Sequence, residues 1–230
     1  MSSQEIWLIT FKNKLFEKEL TEAFEIYLRI GGFPLAIKEF LTSGKTWNAY
    51  KTYIDWIKTD IIRAGRSEKA AKEIVSYILN ARLTPISWNS IAKETSVSSP
   101  NTIRSYIEFL ENLFILKVLY WIGMDGRVMS RKNKKIHVTN PFLYDALARW
   151  VRVNIYDEQK VESVVSSHLN RIGEIFYWRD STEVDVILRH KDKLLGFEVK
   201  WTVKTPGRKP FNTRILDRKT IPIFLASIKW

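Results

Sequence analysis

The sequence predicts a mixed α+β protein: a helical N-terminal region, then a winged helix-turn-helix, then a small α/β domain. Three observations carry this expectation. Apolar residues recur at helical spacing in 47–80. A short Ser-led helix, a three-residue turn and a Pro-led longer helix follow one another between Ser87 and Phe114. Two later segments, 181–188 and 193–201, alternate apolar with charged residues at a period of two. The boundaries that follow are 1–83, 84–140 and 141–230.

In chain order, Ala23, Phe24, Tyr27 and Leu28 mark a first helix that Gly31-Gly32-Phe33-Pro34 breaks. Leu35–Leu41 begins a second. Ser43-Gly44-Lys45-Thr46 has the end of a phosphate-binding loop, but Glu39 stands where its first glycine belongs and a helix precedes it, so no ATP site is expected. Tyr50, Ile54, Ile57 and Ile61 form one helical stripe, and Ala71, Ile74, Val75 and Ile78 another. Ser87 can cap WNSIAKETS, Val97-Ser98-Ser99 is the turn, and Pro100 suits a first helical position. Phe114–Trp121 and Lys134–Val138 read as the strands of a wing, with Arg127–Lys135 at its basic tip. Phe142–Val151 is a linking helix. In the C-terminal part, Asp157–Arg171 places Val161, Val164, Val165 and Leu169 on one helical face with Glu162 at its margin. Two strands follow, with Val184, Val186 and Leu188 set against Asp185, and Phe197, Val199 and Trp201 against Glu198 and Lys200. Thr202–Lys219 reads as a basic loop, and Ile221–Ser227 as one more core strand.

Composition limits the function. A chain of 230 residues, 45% hydrophobic with nine Trp, has ample material for a packed core. Zero cysteine excludes disulfides and thiolate metal sites and fits a reducing cytosol. His137, His168 and His190 are scattered, which argues against an imidazole zinc cluster. No apolar run approaches the roughly 18 residues of a membrane span. The start, MSSQEIWLITFKNK, lacks a cleavage site for a signal peptide. A cytoplasmic protein without a membrane partner is expected.

The formal charge of +12 is concentrated. Residues 123–137 hold five basic groups (Arg127, Arg131, Lys132, Lys134, Lys135) against Asp125, and residues 201–230 hold seven against Asp217, among them Lys204, Arg208 and Lys209. Such clusters suit a polyanion, most simply nucleic acid, through phosphate contacts; an acidic protein is the other reading. The longer helix exposes Asn101, Thr102 and Arg104 at its start, side chains able to reach base edges or phosphates. It also exposes Glu108 and Glu111, which would repel DNA, and such modules serve equally as docking surfaces.

The spacing D-x(12)-E-x-K, from Asp185 to Glu198 and Lys200, resembles the PD-(D/E)xK or restriction-endonuclease-like nucleases. The wider order of motifs resembles the C-terminal half of AAA+-type ATPases of archaea and bacteria, in which a lid and winged helix lead into a nuclease-like domain of unknown function. The resemblance rests on GGFP (Gly31–Pro34), Ile86–Leu116, Lys134–Leu147, the helix of Glu162, Tyr177–Leu188 and GFEVKW (Gly196–Trp201). It implies that Asp185 and Glu198 hold Mg²⁺ or Mn²⁺, that Lys200 orients the attacking water, and that Glu162 is the helix acid. Those relatives also carry a P-loop domain, and none fits upstream of Gly31. The expectation is a DNA-binding protein with a nuclease-like domain; the alternative is an interaction module that meets a separate ATPase or its own copies.

Overall fold

In the computed structural model of the chain, the described residues are 14–191, 193–201 and 210–228. Lys204, Arg208 and Lys209 lie outside them. After a 3₁₀ turn at Lys14–Phe16, α1 (Glu17–Ile30) ends at Gly31, and α2 (Pro34–Ser43) opens on a proline and ends at a left-handed Gly44. Ser43-Gly44-Lys45-Thr46 is therefore a helix cap and a link to α3 (Trp47–Arg63). There the Glu39 carboxylate accepts from the Asn48 and Ala49 N–H groups at 3.0 and 2.7 Å, two donors that a helix start leaves open. The next helix, α4 (Glu68–Asn80), is capped by Ser67.

The helix pair expected from Ser87 onward is present. Ser87 and Ser90 cap each other reciprocally at the start of α5 (Trp88–Glu94), and Ser99 caps α6 (Pro100–Asn112). Ile91, Ala92, Ile103, Tyr106, Ile107 and Leu110 are buried between them. An antiparallel ribbon follows, β1 (Leu116–Leu119) against β4 (Lys135–Val138), in the register Leu116↔Val138. The residues between these strands do not form a free wing tip. β2 (Trp121–Ile122) and β3 (Val128–Met129) make a hairpin, and β2 runs parallel to β5 (Glu174–Arg179). The hairpin thus becomes the edge of a six-stranded mixed sheet, β3-β2-β5-β6-β7-β8, with β6 at Glu183–His190, β7 at Lys193–Lys200 and β8 at Asn212–Asp217.

Between ribbon and sheet the chain makes α7 (Pro141–Val151) and α8 (Asp157–Leu169), and it closes with α9 (Thr220–Ser227). One core joins α3 to α7 and the ribbon; Phe142 is fully buried there, stacked on Tyr50 at 4.7 Å and flanked by Phe33 and Tyr53. A second core packs α1, α8 and α9 on one face of the sheet through Phe24, Leu28, Val161, Val165, Leu169, Val186, Leu188, Leu216 and Phe224. A smaller cluster of Ile122, Phe176, Trp178, Val184 and Ile187 covers the other face.

Three sequence expectations besides the free wing tip need correction. Ile221–Ser227 is helix, not strand. Pro222 sits in its first turn, where the missing N–H removes no bond, and a central strand would not accept it. Asn212–Asp217, placed in a loop, is β8, paired parallel with β7 from Leu195↔Asn212 to Lys200↔Asp217. Val184 does not share a face with Val186 and Leu188. The β5–β6 register shifts between Phe176↔Ile187 and Trp178↔Val184, so Asp185 and Val186 together oppose Tyr177. This bulge breaks the period of two at Asp185, one of the residues that form the site described below.

The described residues form a mixed α+β architecture, and no helix among them is long and apolar enough to cross a membrane.

Candidate functional site

Four elements bring charged side chains to one buried place: β4, α8, β6 and β7. Lys135, on β4, is 1% exposed. Its ammonium donates to Glu162 Oε1 at 2.7 Å and lies 2.6 Å from Glu183 Oε1 and 3.4 Å from Asp185 Oδ1. The other Asp185 oxygen accepts from the Val199 N–H at 2.8 Å, which ties β6 to β7 just past the Val186↔Phe197 end of their ladder. Next along β7, Lys200 pairs with Glu198, itself 2% exposed. Two residues on from Lys135, His137 is fully buried, with Nδ1 3.2 Å from Ser163 Oγ and Nε2 3.6 Å from Glu162 Oε1. The Tyr144 hydroxyl lies 3.0 Å from the same Ser163 Oγ.

Electrostatics follow from one ammonium among three carboxylates. Burial pulls the Lys135 ammonium down, but Glu162, Asp185 and Glu183 outweigh it and hold it above its ordinary value. Glu162 is raised to about 8 in all: burial raises it most, Lys135 draws it down, and Asp185 and Glu183 raise it. Burial, then the Lys135 charge, keeps the His137 imidazole well below its usual range, so it is neutral. At Lys200 burial lowers and Glu198 raises, with Asp185 and Glu162 adding to the rise, and the net is upward.

A pH dependence follows from Glu162. Its folded value of about 8 lies above the ordinary 4.5, so between the two the folded chain holds a proton that the unfolded chain releases. Rising pH therefore lowers stability across that window, and the loss levels off above about 8. Glu162→Gln, neutral at every pH, is expected to flatten this part of the profile in thermal melts. Parallel profiles for wild type and variant would mean that Glu162 is already ionised beneath Lys135.

The divalent cation implied by the nuclease resemblance does not fit these residues as they stand. Asp185 and Glu162 are engaged by the Lys135 ammonium, and Glu198 by Lys200. Among the described residues no group of three or more His, Asp or Glu side chains has a metal-holding arrangement. The sequence reading brought Asp185, Glu198, Lys200 and Glu162 to one neighbourhood, but it missed Lys135, Glu183 and His137 as members. The signal for two of them was the KIHV strand, in which Lys135 and His137 alternate with Ile136 and Val138 and face α8 rather than water.

The residues expected to touch nucleic acid divide. Asn101, Arg104, Arg131 and Lys134 line one open cleft with Ser87, Trp88, Asn89 and Tyr120, between the start of α6 and the segment 130–134. The Lys134 ammonium sits 5.0 Å over the Trp88 ring, and burial, then the Arg104 charge, lowers its pKa. Arg104 also holds Glu108 at 2.7 Å. Arg131 continues into an adjoining cleft with Lys132, Arg179, Trp121 and Tyr177. Thr102 is exposed on α6, next to the cleft residue Asn101. Arg127 is elsewhere, in the β2–β3 turn, 3.4 Å from Asp125; the neighbouring Gly126 carbonyl accepts from Arg189 at 2.6 Å. Lys135 is corrected outright: buried among carboxylates, it has no surface to offer a phosphate.

A family model described as a domain of unknown function, DUF8612, matches residues 21–153. No curated protein and no solved structure matches the chain.

Proposed function

The chain belongs to the DUF8612 family, a domain of unknown function, and from that premise we propose that it binds nucleic acid, DNA first, across the cleft between α6 and residues 130–134. The observation that carries this reading is the gathering of Arg104, Arg131 and Lys134 along one open concavity; Arg104 and Arg131 are exposed there, while Lys134 is buried with its ammonium over the Trp88 ring and adds its charge from beneath. Cations lining a concavity suit an anion, and phosphate is the anion a nucleic acid presents along its whole length. Trp88, Tyr120 and Trp121 add ring faces beside the cations. In this reading α5, α6 and the β1–β4 ribbon act as a winged helix and the sheet as a restriction-endonuclease-like scaffold, arranged as in the C-terminal half of an AAA+-type ATPase. Phosphodiester cleavage is not part of the proposal, because Lys135 holds the acids that a metal would need.

The test is fluorescence anisotropy with a labelled duplex over a series of salt concentrations. Log K is expected to fall steeply with log [salt]. Arg131→Ala should weaken binding on every sequence and shallow the slope by roughly 1, the share of one phosphate. A flat slope sinks the proposal. An RNA duplex of the same sequence, run in parallel, separates the two nucleic acids.

The second reading, an interaction module for an ATPase or for a second copy, is favoured by large apolar side chains that the helical region leaves in water. Leu41, Trp47, Trp56 and Ile62 are each more than half exposed, at 78%, 60%, 55% and 61%. Light scattering that gives a dimer mass, together with a flat salt slope, would move the weight to this reading.

A further inference from the structure

We propose that Lys135 is an internal cation standing where a divalent metal would sit, and that withdrawing its ammonium turns Glu162, Glu183, Asp185 and His137 into a site for Mn²⁺. This concerns the buried cluster alone and does not rest on nucleic-acid binding, so either reading can fail without the other.

The geometry around Lys135 is that of a coordinated cation. Carboxylate oxygens from three separate places, α8, the start of β6 and the β6 bulge, point at one nitrogen at 2.6–3.4 Å. Those distances suit N–H···O bonds and are too long for Mg²⁺–O or similar contacts of about 2.1 Å. The ammonium therefore holds the donors apart, which is consistent with the lack of a metal-holding arrangement among the described residues. An independent observation points the same way. His137 Nε2 is fully buried and has no hydrogen-bond partner, yet it is aimed at Glu162 Oε1, 3.6 Å away. Its ring is fixed from behind by Ser163 and, through Ser163, by Tyr144. A neutral imidazole oriented by a hydroxyl pair is how a metal ligand is held in place. One imidazole with three carboxylates suits Mn²⁺ better than Mg²⁺, which prefers an all-oxygen shell.

The experiment uses the full chain with Lys135→Met, which keeps the apolar stem and removes the charge. Free Mn²⁺ is followed by electron paramagnetic resonance during titration. One saturable site is expected in Lys135→Met, none in wild type, and loss of the site in Lys135→Met combined with Glu162→Gln. Wild type that binds Mn²⁺ as tightly as the variant overturns the proposal, as does a folded Lys135→Met that binds no more than wild type. Should Lys135→Met be unfolded in metal-free buffer, recovery of the far-UV circular dichroism spectrum on adding Mn²⁺ supports the proposal, and a chain that stays unfolded refutes it.

Discussion

Lys135→Ala is expected to lower the unfolding free energy by about 3–5 kcal/mol at neutral pH, a large share of what a domain possesses. The size follows from burial rather than from the number of ion pairs. The ammonium is the immediate cation for Glu162, Glu183 and Asp185, whose side chains are only 14%, 27% and 12% exposed. Removing it leaves Asp185 and Glu183 as negative charges that water reaches poorly and that repel one another, with Arg179, 3.6 Å from Glu183, as the nearer remaining cation. It also deprives Glu162, protonated at neutral pH, of its hydrogen-bond donor. Urea titration would show a lower midpoint with an unchanged slope. The deficit should shrink in acid, where the carboxylates take up protons. Lys69→Ala is the matched control: that side chain is 81% exposed and 4.0 Å from Glu73, and its loss should barely register. Equal behaviour of the two variants would mean that the cluster contributes nothing special to the fold.

Gly31→Ala should be nearly as damaging, on the order of 3 kcal/mol, for a different reason. Gly31 ends α1 with φ at 63°, a region that side chains rarely adopt. A Cβ there would stand 2.7 Å from the Phe142 Cβ and collide with the Asn140 side-chain oxygen. That oxygen accepts from the Phe142 N–H at 2.9 Å and caps α7, so the intrusion would disturb the cap as well as the aromatic cluster around Phe142. Gly32→Ala is the comparison, since its nearest neighbour would be a Tyr27 ring carbon at 3.8 Å. A melting point for Gly31→Ala within a degree or so of wild type would show that Asn140 can step aside.

Much of this architecture is written locally. The stripes of Tyr50, Ile54, Ile57 and Ile61, the Ser87 and Ser99 caps and the Pro100 start specify helices because each signal acts within a few residues. The helix of Glu162 and the alternation of Phe197 and Val199 with Glu198 and Lys200 are legible for the same reason. What was hidden depends on distant partners. Ile221–Leu225 is buried throughout, so its apolar run carries no period that separates helix from strand. Of β8 only Leu216 is fully buried, and the strand passes for loop until β7 pairs with it. Lys135 belongs to a basic run that reads as solvent-facing, and only the fold places α8 and β6 over it. The bulge at Asp185 is likewise a product of pairing with β5, with no signature of its own.

The detour of residues 121–129 out of the ribbon and into the six-stranded sheet has a practical result for anyone dividing the molecule. A fragment cut after Val153 keeps β2 and β3 but forfeits β5, leaving an unzipped border open to strands from other chains. The same cut strands Lys135 without any of its three acids, all of which lie downstream. The two halves of this chain are stitched rather than joined end to end, and they should express, melt and be digested as one piece.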